Sequence, residues 1–368
     1  MPIYMDRHDV SEAVTAEMVA QLHQQDLKVQ HQFKCRGLTY WFDENRKTAF
    51  CLVEAPDEKS VISMHNHAHG EVPHRIIEVE PNIVESFLGR IEDPEKAKNI
   101  SLNIINDPAF RTIMVISLSE IISKNKRENE NGSSIHNLNH SISEIILAHD
   151  GRVVKQSKPR NLASFKSVTK AVLCAKAIVD HIRIIKAKNE GIHFGLKICL
   201  NAGVPVTERE SIFEDTIKLA ERMNFVAKTE IVVSSEVKDL FKSENNNQFI
   251  DKTVVYTLSL PEERFLNSLI DFIEAEWKNP KLKVDDFGKI MGISKSQLYR
   301  KMTLMVGESP NSFLMTFRLN KAKDLLKKQD LSISEIAFDS GFSSPSYFTK
   351  CFNRRFHLSP SECFHIQS

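Results

Sequence analysis

The six cysteines, Cys35, Cys51, Cys174, Cys199, Cys351 and Cys363, lie far apart with no CxxC spacing. They read as reduced thiols in a reducing compartment, without disulfides. No apolar run reaches the roughly 18 residues of a membrane span, and the opening MPIYMDRHDV has no basic, apolar leader. These absences point to a bacterial cytoplasmic protein with no membrane partner. An excess of either charge is also missing: 49 basic against 48 acidic residues give +1, which by itself does not suggest a polyanionic partner. In the first 82 residues no nucleophile and base are identifiable together, so catalysis is not expected there. The 368 residues (42.0 kDa) are enough for two or three separate cores.

One pattern is present twice near the end of the chain, as VDDFGKIMGISKSQLYRKM from Val284 and ISEIAFDSGFSSPSYFTKCF from Ile333. Each copy begins with acidic residues (Asp285 and Asp286; Glu335) and an apolar stripe that stops at Gly292 or Gly341. Glycine suits the left-handed conformation that ends a helix. A serine suited to N-capping follows (Ser294, Ser343), then a second helix anchored by Leu298 and Met302 or by Phe348 and Phe352. Both copies close on Ser-Pro, at Ser309-Pro310 and Ser359-Pro360. Helix, tight turn and helix, repeated, predict two helix-turn-helix units. Between them Ser312–Gln329 has helical periodicity, with Phe313, Phe317, Ala322 and Leu325 or Leu326 along one side. Such a helix spans about 27 Å, enough to hold two readers roughly one DNA turn (~34 Å) apart.

With Leu298 and Met302 inward, Ser296, Tyr299 and Arg300 share the opposite side. Their counterparts are Ser346, Thr349 and Lys350, with Tyr347 beside them. Arginine pairs bidentately with guanine, hydroxyls meet bases or phosphates, and flanking Lys295, Lys301 and Arg354 can neutralise phosphate. Gln297 and Ser344 complete the predicted DNA-binding set. From about Leu266 to Phe364 the chain resembles the AraC/XylS transcription regulators, through LSISEIAFDSGFSSPSYFTKCFNRRFHLSPSE above all. The resemblance implies seven helices, with both second helices entering the major groove. The face positions match the family's base-reading positions, except that Pro345 occupies one of them and cannot donate from its backbone.

In the first 82 residues, IYMDRHDV reads as a strand and Glu12 to Phe33 as a long helix. LTYWFDENRKTAFCLVEA reads as a hairpin turning at Asp43 to Lys47, SVISMHNHAH as a helix and RIIEVE as a strand. The order βαββαβ argues for a ferredoxin-like plait. Half of the chain's 14 histidines fall here: His8, His23, His31, His65, His67, His69 and His74. On a helix, His65 and His69 at i and i+4 point the same way and can chelate one divalent metal, which Asp6, His8 and His23 could approach. Met1 to Val79 also resembles small ferredoxin-like proteins with a nickel-binding branch, through MDRHD, LTYWFDE, FCLVEAPD and MHNHAHG. That resemblance implies metal ligation by His8, His23, His65 and His69. Imidazoles suit zinc and copper as well as nickel.

A charged stretch from Glu92 to Asp107 then links two bodies. RTIMVISLS reads as a buried strand, Ile135 to His149 as a helix, and GRVVKQ and NLASFKS as a hairpin. Val168 to Lys186 reads as a long helix, followed by the strand FGLKICLNAG, a helix near Phe213 to Met223 and the strand EIVVSS. The alternation suggests an α/β sandwich. The run resembles the class III nucleotidyl cyclase homology domain, through HDGRVVK, FGLKICLNAGVPV, FEDTIKLAERM and TEIVVSSEVKDLF. Active members hold two metals with two aspartates. Here Ser117 and Pro159 stand in those places, and Lys218 replaces an expected asparagine although Arg222 remains. The resemblance therefore implies a degenerate domain that dimerises or binds a ligand without turnover.

The expected architecture is multidomain α+β. A ferredoxin-like sensing domain (1–82) and a linker (83–109) precede a cyclase-homology-like domain (110–257) and an all-α double helix-turn-helix domain (262–368). The expected function is sequence-specific DNA-binding transcription regulation, not enzymatic. The partners are double-stranded DNA half-sites, a second copy joined through the middle domain, and RNA polymerase. The expected effector is a divalent metal (nickel, zinc or copper), and an organic inducer is equally compatible with the amino-terminal domain. Metal buffering and nucleotidyl cyclisation are the alternatives.

Overall fold

The computed structural model describes residues 1–94, 102–120, 129–154, 161–188, 194–246 and 250–365. Among these residues no helix is long and apolar enough to cross a membrane.

The amino-terminal part runs β1 (Ile3–Asp9), α1 (Ala16–Val29), β2 (Arg36–Asp43), β3 (Thr48–Glu54), α2 (Glu58–Ala68) and β4 (Arg75–Val79). Its antiparallel sheet has the order β2-β3-β1-β4, the ferredoxin-like plait read from the sequence. The first helix starts four residues later than expected from Glu12, at Ala16. The Thr15 hydroxyl accepts from Met18 N at 3.3 Å and sets that start. A 3-10 turn over Gln30–Phe33 ends the helical run.

Strand alternation sends side chains to the two faces of this sheet. Tyr40, Phe42, Ala49 and Val53 meet α1 and α2 on one face. Met5, Leu38, Trp41, Phe50 and Leu52 point the other way into a second core. Helix α3 (Pro81–Leu88), starting with proline and ending at Gly89 (φ +93°), buries Val84, Phe87 and Leu88 in that second core. The stretch read as a linker from 83 onward thus opens with a packed helix.

The middle part contains β5 (Arg111–Glu120), α4 (Asn129–Ala148), β6 (Arg152–Val154), β7 (Asn161–Phe165), α5 (Val168–Lys188), β8 (Phe194–Gly203), α6 (Glu214–Arg222), β9 (Ile231–Val233), α7 (Ser235–Glu244) and β10 (Val255–Thr257). The six strands form one sheet in the order β10-β9-β8-β5-β7-β6. Met114, Ile116, Ile198 and Leu200 bury one face of it with α4 and α5. Ile113, Val115, Cys199 and Val232 turn the other face into the core already occupied by α3 and the first sheet. Arg111, 1% exposed, ties the two bodies, donating to the carbonyls of Phe87 at 3.3 Å and Leu88 at 3.2 Å. Lys155 and Gln156, at the end of the expected GRVVKQ strand, lie outside the described residues.

Seven helices follow: α8 (Leu260–Glu276), α9 (Val284–Met291), α10 (Lys295–Met305), α11 (Pro310–Lys328), α12 (Ile333–Asp339), α13 (Pro345–Phe356) and α14 (Pro360–His365). Gly292 (φ +63°) and Gly341 (φ +74°) make the left-handed turns between the paired helices. The cap of α13 differs from expectation. It is Ser344, not Ser343, that accepts from Tyr347 N at 3.4 Å. Pro345 then occupies the first helical position, where its missing N–H costs nothing.

Candidate functional site

Two regions concentrate polar chemistry, the paired helices of the carboxy-terminal domain and a buried cluster between β1, β3, α1 and α2. In the first, Leu298, Met302, Phe348 and Phe352 are wholly buried. Lys295, Ser296, Gln297, Arg300 and Lys301 are exposed on α10, as are Ser346, Tyr347, Lys350 and Arg354 on α13; Tyr299 and Thr349 are half-buried. Several of these groups already have partners. Gln297 Oε1 accepts from Ser294 N at 2.9 Å in a capping box, and Lys295 Nζ lies 3.2 Å from Asp285. Lys301 stands 5.2 Å above the Phe265 ring, and the Thr349 hydroxyl donates to Pro345 O at 3.0 Å. Ser344 is occupied as the cap. Arg300 and Lys350 thus project from equivalent turns of the two second helices.

The second region arises because polar residues take positions that the alternation assigns to core. On β1, Asp6 and His8 point with Tyr4 toward the helices. On α1, His23 and Asp26 continue the buried stripe of Val19 and Ala20. His65 at the end of α2 is 1% exposed, and His69 is the cap beyond that helix, not part of it. His65 is held on both sides. Its Nε2 is 2.9 Å from Asp6 Oδ2, and its Nδ1 is 3.1 Å from Asp26 Oδ1 and 3.4 Å from His69 Nε2. His69 Nε2 lies 3.2 Å from the same Asp26 oxygen. His8 Nε2 is 3.3 Å from Asp6 Oδ1, which accepts from Cys51 N at 2.9 Å. Yet His8 Nε2 is buried without a well-oriented hydrogen-bond partner.

Potential metal-binding atoms therefore gather in two groups that share His65: Asp6, His8, Cys51 and His65 on one side, and Asp26, His65 and His69 on the other. His23 joins neither. It pairs with Asp93 at 3.3 Å and packs on Tyr40. Asp26 and Cys51 were missed by counting histidines, although a carboxylate on the apolar stripe of α1 marks the former. Burial opposes charge on Asp6 and Asp26, but the adjoining imidazoles outweigh it and hold both carboxyls below their ordinary range. Burial likewise disfavours a charged His65, and the carboxylates of Asp26 and Asp6 overcome it, pushing its pKa up to about 10. Burial first, then Asp6, raises the Cys51 thiol.

In the middle part, Ser117 lies on β5, and Lys218 and Arg222 lie on α6. Pro159 lies outside the described residues. Arg222 is committed to α8, donating to Asn267 Oδ1 at 2.7 Å and pairing with Asp271 and, at 3.4 Å, with Glu274. Lys218 Nζ lies 3.4 Å from Asp271.

Residues 287–365 match the family described as Helix-turn-helix domain. The carboxy-terminal domain is of the AraC type. Residues 4–79 match the family described as Nickel responsive protein SCO4226-like, so the chain joins that domain to an AraC-type one. Among relatives, Histidine kinase P4 of Formosa agariphila is 33% identical over 106 residues, covering 29% of this chain and 8% of the relative. HTH-type transcriptional regulator MtrA of Neisseria gonorrhoeae is 36% identical over 97 residues, covering 26% and 31%. The chain thus spans at most about a third of either curated relative. The crystal structure of SCO4226 from Streptomyces coelicolor A3(2) is 31% identical, covering 21% of this chain and 94% of that one, with a TM-score of 0.20.

Proposed function

We propose that the protein is a sequence-specific DNA-binding transcription regulator. Helices α10 and α13 enter successive major-groove segments, and the amino-terminal domain responds to a divalent metal. The observation that carries this reading is the matched exposure of Arg300 and Lys350 over buried anchors in both units. Arg300 reads a base edge with Ser296. Lys350 and Ser346 do the same in the second unit, while Lys301 and Arg354 contact phosphate. Ser344 and Gln297 serve the helix ends, each accepting from a backbone amide, and so fix where α13 and α10 start. Tyr299, Tyr347 and Thr349 border the reading face.

Nickel, zinc and copper are the candidate metals, since imidazole and carboxylate donors suit all three. Pairing of two copies through the middle domain would place four reading helices on repeated half-sites, with RNA polymerase contacted from the bound complex. The metal controls DNA binding only through unequal affinity for the two arrangements of the readers.

The test is fluorescence anisotropy on DNA fragments from the protein's own promoter region. Arg300→Ala and Lys350→Ala should each weaken specific binding by roughly 1 to 3 kcal/mol and relax sequence preference. Lys301→Ala should weaken specific and non-specific DNA alike and flatten the salt dependence. Unchanged specific binding in both of the first two variants would remove the assignment.

A further inference from the structure

A cavity of about 350 Å³ opens beside the buried cluster, with Asp26, His65, His69, His8 and Cys51 at its polar end. Val10, Val14, Met18, Leu22 and Val72 form its apolar side. Among the described residues no lysine or arginine lines it, whereas Asp9, Asp26 and Glu71 do. Cavities of about this size hold small organic ligands, and a single ion would leave most of the space and all of the apolar wall unused.

Three donor atoms at the polar end form a nearly equilateral triangle. Asp26 Oδ1, His65 Nδ1 and His69 Nε2 are separated by 3.1, 3.4 and 3.2 Å. Ligands bonded at about 2.0–2.1 Å lie about 2.9 Å apart at right angles and about 3.4 Å apart at the tetrahedral angle. The triangle therefore fits three ligands on one face of a single ion. All three residues line the cavity, which puts an ion bound to them at its wall. Asp6 is fully buried, lines no part of the cavity, and accepts from His65 Nε2. A carboxylate behind a ligating imidazole fixes the tautomer that leaves the other nitrogen free for metal.

We infer that Asp26, His65 and His69 form an open two-histidine, one-carboxylate metal site, and that an apolar organic molecule with a nitrogen or oxygen donor completes it from the cavity. This rests on the metal-responsive reading above and adds the ligand set, the positioning residue Asp6 and the class of co-ligand. Metal enters by displacing the proton from His65 Nδ1. His69 Nδ1 at present accepts from Glu71 N at 3.1 Å, which keeps its proton on Nε2. Loading moves that proton to Nδ1 and turns the exposed Glu71 amide to water.

The test uses the full chain titrated with Co2+, with 4-phenylimidazole and imidazole as probes. One Co2+ should bind with visible ligand-field bands and no near-ultraviolet thiolate band. Asp26→Ala and His69→Ala should weaken it at least about 100-fold, Asp6→Asn about 10- to 100-fold, and His8→Ala little. 4-Phenylimidazole should shift the visible bands at a concentration at least about tenfold below imidazole, because its ring lies on the apolar wall. Leu22→Trp should remove that advantage and keep the metal, and circular dichroism confirms that each variant is folded. A thiolate band, loss of Co2+ in His8→Ala but not in Asp26→Ala, equal potency of the two probes, or no binding by folded protein would each overturn the assignment. A metal-dependent change in DNA affinity that survives in Asp26→Ala and His69→Ala would overturn this site and leave the metal-responsive reading standing.

Discussion

The two helix-turn-helix units repeat one sequence pattern but sit in different mechanical surroundings. The first shares a continuous apolar core with the middle sheet, reaching Leu298, Met302, Phe313 and Phe317. Phe225 packs on Phe313 at 5.2 Å, and Ala227 N donates to Met305 O, the last residue of α10, at 2.9 Å. The second closes a core of its own from Leu319, Ala322, Leu326, Ile336, Phe348 and Phe352. A repeat thus specifies how each reader is built, while the residues outside it decide what each reader is fastened to. A displacement in the front domains reaches α10 directly, and reaches the second unit through α11 and through the close approach of Gly341 to the end of α8.

The largest expected contrast is at the paired turn glycines. An alanine Cβ at position 341 would stand 2.5 Å from Trp277 O, whereas at position 292 nothing lies within 4 Å. Gly292→Ala should cost about 1–2 kcal/mol for the left-handed backbone alone. Gly341→Ala should cost at least about 3 kcal/mol, since rigid backbone must also move. Equal losses in chemical denaturation would show that the second turn is not pinned to α8.

Next in size is the fastening of the first unit. Arg222→Ala strands Asn267 and Asp271 at the α6–α8 contact and should cost about 2 kcal/mol, discounted because Asp271 is more than half exposed. Hydrogen exchange should rise in α8 and α10 and leave α12 and α13 protected. Uniform acceleration through both units would erase the difference between them.

The smallest is at the caps. Ser344→Ala should destabilise by about 1 kcal/mol through loss of the bond to Tyr347 N, and Ser343→Ala by a few tenths. The reverse order in thermal melts would restore Ser343 as the cap.

The reader units were legible because Gly292, Gly341 and the buried anchors are local signals recurring at fixed spacing. The βαββαβ order was legible because β1 to β4 are short β-rich runs, β2 and β3 being joined by the polar turn at Asp43–Lys47 and the others separated by helical segments. The cap of α13 was misplaced because three serines and a proline crowd one turn, and only the N–H of Tyr347 selects among them. Metal-binding geometry was half legible: His65 and His69 advertise themselves by spacing, but Asp26 lies 39 residues before His65 and meets it only when α1 packs on α2. His23 shares that stripe and faces Asp93 instead. Helix α3 was hidden because a short amphipathic run after a proline has little propensity signal until a sheet face covers it.

The face of the first sheet that carries Trp41, Phe50 and Leu52 is interior to the whole molecule. A chain cut after Asn82 would convert that interior into a wet apolar surface, leaving the fragment sticky even with its own helices in place. Descent from a free-standing ancestor would therefore have required the former outside of that sheet to be rewritten as inside. The seam between the two bodies should accept domain exchange far less readily than the polar turn at Asp43–Lys47.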